Sequence, residues 1–155
     1  MVYALVRPDS PNLAKLPRHK NLIPVPCDLE HVSGCVDKIG RADAFFHLAW
    51  GGVNRQEIDS PKVQKKNIES SIECVKAAAR LHCQIFMDAG SRVEYGITED
   101  GRMQEDMECH PVNEYGKAKL SFYKQAALLC REYGMTYFHL RFFSVYGPGD
   151  HPWSI

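Results

Sequence analysis

The sequence has no excess of either charge. Nineteen basic residues balance nineteen acidic ones and the net charge is zero. Nothing in that balance marks a nucleic-acid surface or an acidic tail, so no nucleic-acid partner is expected. Lys62, Lys65 and Lys66 make only a short basic cluster, read as a solvated helix face. No apolar run approaches the ~20 residues a membrane helix needs, so no membrane partner is expected. The opening MVYALVRPDS lacks the charged start, long apolar stretch and small-residue cleavage site of a signal peptide. The six cysteines, Cys27, Cys35, Cys74, Cys83, Cys109 and Cys130, contain no CxxC pair. They read as reduced thiols of a cytoplasmic protein. Cys27, His31 and Cys35 recur every four residues but do not meet the ligand spacings of known metal sites, so no metal is expected. Repeats, linkers and low-complexity segments are also missing.

What is present is an alternation. The chain has 155 residues, 45% of them hydrophobic and 25% charged, enough for one domain with a real core. VYALV, residues 2–6, reads as a buried strand, and RPDSPN as a turn. NLIPVPCDLE holds a second short strand whose prolines suit a sheet edge. Residues 29–40 read weakly as a helix, with Gly34 against it and Gly40 as its stop. ADAFFHLAWGG is a strand ending in glycines, with Phe45 and Phe46 both expected in the core. Ser60-Pro61 then caps a long helix over 61–81, whose stripe is Ile68, Ile72, Val75 and Ala79. CQIFMDAGS is another strand. The strongest helix spans 115–133, with Ala118, Phe122, Ala126, Leu129 and Tyr133 on its stripe and Gly134 as its stop. MTYFHLRFFSVYG is the last strand. Strands alternating with helices predict an α/β fold with a parallel sheet flanked by helices. Ligands of such sheets sit beyond the carboxyl ends of the strands. Arg7, Asp28, the 47–51 segment, Ser91 and the 141–147 segment all fall there.

One pair stands out chemically. Tyr115 and Lys119, in NEYGKAKL, lie four apart and share a helix face. A nearby ammonium favours a phenolate and lowers its pKa from the ordinary ~10. A tyrosine so tuned exchanges a proton with a substrate hydroxyl or carbonyl. Ser91, after the preceding strand, can hydrogen-bond the same oxygen. The pair alone is weak evidence, and a solvated helix turn is its bland alternative. His47, at a strand end, reads as structural, and Trp50 as either a cleft wall or packing.

The order of motifs resembles the extended short-chain dehydrogenase/reductase family, the NAD-dependent epimerase/dehydratase group that modifies nucleotide sugars. The resemblance covers nearly the whole chain and implies a Rossmann-like domain. CDLE resembles the family's Asp-Leu after the third strand, which places Asp28, with Leu29, at the adenine. HLAW resembles the His-x-Ala segment whose backbone passes under the cofactor, here Leu48, Ala49 and Trp50. Asn67 matches an asparagine that supports the site. GSRVEYG places the catalytic serine at Ser91, and YGKAK supplies Tyr115 and Lys119, the lysine also meeting the nicotinamide ribose. RFFSVYGPG puts Phe143 near the nicotinamide. Implied partners are a nucleotide-sugar substrate and a second copy of the chain, joined through the 61–81 and 115–133 helices.

Departures from the pattern matter as much. The family's first strand and Gly-x-x-Gly-x-x-Gly turn have no counterpart, although that turn brings backbone amides to the pyrophosphate. The expected fold is therefore incomplete: residues 1–155 read as a partial NAD(P)-binding domain, without the C-terminal substrate domain. The missing strand would be central, leaving three possible outcomes: a closed-up sheet, a strand from another chain, or separate half-sheets with exposed edges. Arg92 and Val93 stand where dehydrating relatives carry an acidic pair, which leaves an epimerase or ketoreductase. The cofactor is NAD or NADP; Arg7, where NAD users place an acid, favours NADP. Glu94 is a possible substrate contact or an ion-paired residue, and Ser144 replaces a substrate-contacting asparagine. A non-catalytic nucleotide-binding module on the same fold is the competing reading.

Overall fold

The computed structural model describes residues 1–98 and 101–147. Strand β1 (Val2–Val6) is followed by a 3-10 helix over Pro11–Lys15, β2 (Leu22–Pro26), a 3-10 segment over Leu29–Cys35, and the short helix α1 (Val36–Ile39). Then come β3 (Ala44–His47), α2 (Pro61–Arg80), β4 (Ile85–Ser91), a 3-10 turn (Arg92–Glu94), α3 (Glu114–Glu132) and β5 (Thr136–Phe142). Both long helices fall within one residue of their expected bounds. The weak 29–40 helix does not form as one: the backbone leaves helical geometry at His31, and only its last four residues are α-helical.

The strands form two parallel sheets, β1-β2 and β3-β4-β5. β2 pairs only with β1, as the prolines at 24 and 26 require of an edge strand. β4 is central in the second sheet, pairing with β3 from Ala44 opposite Ile85 and with β5 from Thr136 opposite Ile85. The sheet therefore does not close up across the gap between β1 and β3. The smaller sheet is tied to the larger by side chains: Val32 and Val36, following β2, join Val75, Ala78, Phe86, Phe122 and Ala126 in one core. Lys66 of α2 also meets Glu30 at 2.7 Å.

α2 and α3 cover one face of β3–β5. The opposite face carries Phe138, Leu140 and Phe142 of β5, all exposed, with Phe46 of β3 at 61%. Phe46 therefore leaves the expected core. Adjacent residues of a strand point to opposite faces, so only Phe45 and His47 turn inward.

The reading of all six cysteines as thiols also fails at one pair. Cys27 and Cys35 form a disulfide, their Cα atoms 6.5 Å apart across eight residues. The kinked 3-10 segment folds back onto the end of β2, a proximity that no short motif announces. Cys74, Cys83 and Cys130 are free and buried, and Cys109 is free and partly exposed. Among the described residues, no group of three His, Cys, Asp or Glu is arranged to hold a metal, and no helix is long and apolar enough to cross a membrane.

Candidate active site

The candidate site lies at the carboxyl ends of β3 and β4, where α2 and α3 begin. Three loops meet there, each fixed by a side chain that sequence alone makes unremarkable. After β3, Asn67 of α2 clamps Gly51 from both sides: its Oδ1 accepts the Gly51 N–H at 3.0 Å and its Nδ2 donates to the Gly51 carbonyl at 2.8 Å. Gln64, one turn earlier, accepts the Trp50 indole N–H at 2.9 Å and donates to Ile58 O. The polar residues along α2's inner face thus order the loop that holds Trp50. His47 is buried and shares a 2.8 Å hydrogen bond with Ser71, consistent with a structural role.

α3 starts at Asn113, whose Oδ1 accepts the Gly116 N–H at 2.8 Å. This cap sets Tyr115 in the first turn. Gly116 lets α3 approach the Ser91 turn: a Cβ there would stand 2.9 Å from the Val93 carbonyl. That close approach brings Tyr115 to Ser91. The half-buried Tyr115 phenol has its pKa pushed up by burial, against the pull of the Ser91 side chain, which lowers it.

Lys119 does not lower the Tyr115 pKa as the spacing predicts. Its ammonium donates to Ala89 O at 2.7 Å and lies 3.8 Å above the Trp50 ring, while the Tyr115 ring centroid is 5.8 Å away. The Trp50 face offers a cation–π contact in place of the phenol oxygen. Lys119 is only 4% exposed, and burial brings its pKa down to about 8, although Asp88 and Glu94 pull upward. Trp50 is both cleft wall and packing, since its ring also meets Tyr115 edge-on at 6.2 Å.

The structure brings Ser91, Tyr115, Lys119, Trp50 and, through Gly51, Asn67 into this one cleft. Leu48 and Ala49 are exposed on the same loop. Arg7 and Asp28 follow the strands of the other sheet, Arg7 exposed, Asp28 and Leu29 half-buried, with Asp28 capping the Glu30 N–H at 3.4 Å. Phe143 and Ser144 are exposed after β5, and the Phe143 ring lies 6.3 Å from that of Tyr95. The Pro148-Gly149 end of RFFSVYGPG lies outside the described residues. Of the readings open for Glu94, the structure shows the ion-paired one. Glu94 is 0% exposed, accepting the Ser91 N–H at 2.7 Å and bonds from His139 and Arg141.

Asp88, His139 and Arg141 form the buried layer under the site, and the sequence reading passed over them. A signal existed. Asp88 interrupts an apolar strand at an inward position, and His139 and Arg141 alternate with apolar neighbours on β5. A charge at an inward strand position requires a partner.

The sequence matches the NAD dependent epimerase/dehydratase family over residues 2–154. The chain belongs to that family. It is 30% identical over 118 residues to an uncharacterized UDP-glucose epimerase, YtcB, of Bacillus subtilis, a stretch covering 71% of this chain and 35% of that protein. MoeE5, solved with UDP-glucuronic acid and NAD, is 27% identical with a TM-score of 0.73, over 88% of this chain and 46% of its own. The UDP-glucose 4-epimerase of Thermotoga maritima, solved with UDP-glucose, superposes with a TM-score of 0.82 at 24% identity, over 97% of this chain and 50% of its own. The fold is thus the Rossmann fold of nucleotide-sugar epimerases, and the chain spans half or less of the length of these family relatives.

Proposed function

We propose that this chain carries the proton-transfer half of an NAD(P)-dependent nucleotide-sugar epimerase or ketoreductase. The observation that carries the reading is the convergence of Tyr115 and Lys119, one turn apart and both against the Trp50 ring, beside the Ser91 turn. When bound, the nicotinamide accepts hydride from a sugar carbon or returns it. Tyr115 Oη holds the proton exchanged with the sugar oxygen, and Ser91 orients that oxygen. Lys119 presents a positive charge beside the cofactor ribose. With its pKa raised, Tyr115 stands as a phenol at neutral pH, ready to donate; taking a proton from a hydroxyl requires the phenolate. Oxidation of the sugar is therefore expected to accelerate as pH rises toward about 8, where Lys119 begins to give up its charge.

The residues fit a dinucleotide at its two ends, Asp28 and Leu29 on the adenine side and Tyr115, Lys119 and Phe143 on the nicotinamide side. The competing reading is a non-catalytic nucleotide-binding module on the same fold. Relatives solved with NAD support NAD, whereas the exposed Arg7 supports NADP. One titration addresses all of this. Trp50 touches both Lys119 and Tyr115, so the change in its fluorescence with NAD, NADP and UDP-glucose reads occupancy of the site. Saturable quenching by a dinucleotide, with conversion of UDP-glucose that Tyr115→Phe lowers by about 10²–10⁴-fold, supports the enzyme. Quenching without conversion supports the module, and no response to any of the three refutes both. The outward faces of α2 and α3, where Leu128 is exposed, are the proposed dimer surface. A strictly monomeric species in sedimentation at high concentration counts against it.

A further inference from the structure

Beneath Ser91 lies a cluster of charged side chains withdrawn from water. His139 of β5 bridges two carboxylates. Its Nδ1 lies 3.0 and 3.1 Å from the two oxygens of Asp88, and its Nε2 lies 2.8 Å from Glu94 Oε2. The three side chains are at most 5% exposed. A neutral imidazole has one N–H and one lone pair, and would turn that lone pair onto a carboxylate oxygen. Only the imidazolium donates on both sides. The Tyr123 ring, 4.6 Å from the His139 ring, adds an aromatic face beside that cation.

Each carboxylate leads to the site. Glu94 Oε1 accepts the Ser91 N–H at 2.7 Å while Ser91 Oγ accepts the Val93 N–H, so Glu94 and Ser91 cap one turn reciprocally. Asp88 immediately precedes Ala89, whose carbonyl receives the Lys119 ammonium. The four residues from Asp88 to Ser91 thus supply the Lys119 anchor and one partner of Tyr115, and His139 grips the segment at both ends. Gly90 makes room for the ring: a Cβ there would lie 2.5 Å from His139 Nε2 and 2.9 Å from Glu94 Oε1.

We propose that His139 is a positioning residue of the Ser91–Tyr115–Lys119 site, an imidazolium that holds Asp88 and Glu94 and through them the Ser91 turn and the Lys119 anchor. The proposal deepens the functional reading and rests on it for the word "site"; the geometry it describes does not depend on turnover. Burial works against the charged ring, but the hydrogen bonds it donates to Asp88 and Glu94, together with their negative charges, outweigh it and raise its pKa. The groups that face His139 are Asp88 from β4, Glu94 from the turn, Tyr137 beside it on β5, and Tyr123 from α3. Arg141, two residues on, donates to the same Glu94 oxygen at 3.1 Å. Lys119 and Cys130 of α3 lie in the field of Asp88.

The test needs neither cofactor nor sugar. In protein labelled with ¹⁵N in the histidine rings, both nitrogens of His139 are expected to stay protonated at pH 7.5, above the ordinary histidine value of ~6.5. A deprotonated ring nitrogen at His139 under those conditions overturns the proposal. His139→Gln is then expected to speed exchange of the Ser91 amide by about tenfold and to shift the Tyr115 ring titration, while amides of β3 keep their protection. An unchanged Ser91 amide and Tyr115 titration would make His139 a packing residue and overturn the proposal. His139→Asn, which leaves both carboxylates in place, makes the same comparison if His139→Gln does not fold. Failure of both variants to fold would show that His139 specifies the core and has no separable positioning role, which also overturns the proposal. Failure of the dinucleotide titration bears on the functional reading alone.

Discussion

His47 and His139 occupy inward positions on parallel strands, and their surroundings drive them to opposite charge states. His47 has a hydroxyl partner, Ser71, and burial lowers its pKa to about 4, with Lys119 adding to the effect and Asp88 opposing it. It binds fewer protons in the folded than in the unfolded chain between pH 4 and 6.5. The stability it confers is therefore fully present above about pH 6.5 and is lost as pH falls through about 4. A shift of that size corresponds to up to about 3 kcal/mol. His139 adds no slope in that window, because a raised folded value leaves it protonated in both states below about 6.5; its contribution is lost only as pH rises through the folded value. Urea unfolding at pH 7 and pH 4.5 is expected to show the loss, and His47→Gln, which cannot take up the proton, to reduce it by up to about 3 kcal/mol.

At the scale of elements, the beginnings of α2 and α3 matter more to the site than their lengths. Ser60 accepts the Val63 N–H and Pro61 occupies the first turn of α2, while Asn113 and Asp59 accept the Gly116 and Glu114 N–H groups of α3. Asp59, next to the α2 cap, therefore ties the two helix starts together. Asn113→Ala is expected to lower stability by about 1 kcal/mol, read from the denaturation midpoint. Because Tyr115 sits in the turn that Asn113 caps, the same variant should broaden or shift the Tyr115 ring resonances. Unchanged resonances would show that packing against Val93, not the cap, holds the tyrosine.

Across the whole molecule, stability is unevenly distributed. In the smaller sheet Val25 is buried and no residue of β1 is, whereas β4 carries Phe86 and Asp88 fully withdrawn from water between two neighbouring strands. Isolated two-stranded pairing is marginal in water, so β1–β2 depends on its ties through Val32, Val36 and the Lys66–Glu30 pair. Native-state hydrogen exchange is expected to open β1 and β2 at a lower free energy than β4 and β5. Equal protection across both sheets would show a single cooperative unit. The exposed apolar face of β3 and β5 predicts, in addition, that the isolated chain binds a hydrophobic dye at Phe46, Phe138, Leu140 and Phe142.

Much of this was open to reading in the chain. The spacing of apolar residues and the Ser60-Pro61 and Gly134 signals placed α2 and α3 within a residue, because helix periodicity and termini are local properties. Resemblance singled out Ser91, Tyr115 and Lys119, which the structure holds near one another. Strand pattern alone misled at Phe46 and left the facing of β5 open, where Tyr137, His139 and Arg141 turn inward and the apolar residues between them face out. A period of two says that neighbours differ in facing, not which set is covered.

Local order and the candidate proton-transfer residues were thus determined by the sequence by itself. The tertiary structure decided their electrical state. Lys119 turns to Ala89 and Trp50 and not to the phenol, Tyr115 is pushed toward its protonated form, and Glu94 pairs with a buried histidine. The same is true of the Cys27–Cys35 pairing and of the gap between the sheets. Each depends on distances between segments far apart in the chain, or on how much water a fold removes, and neither quantity is encoded in the spacing of residues along it.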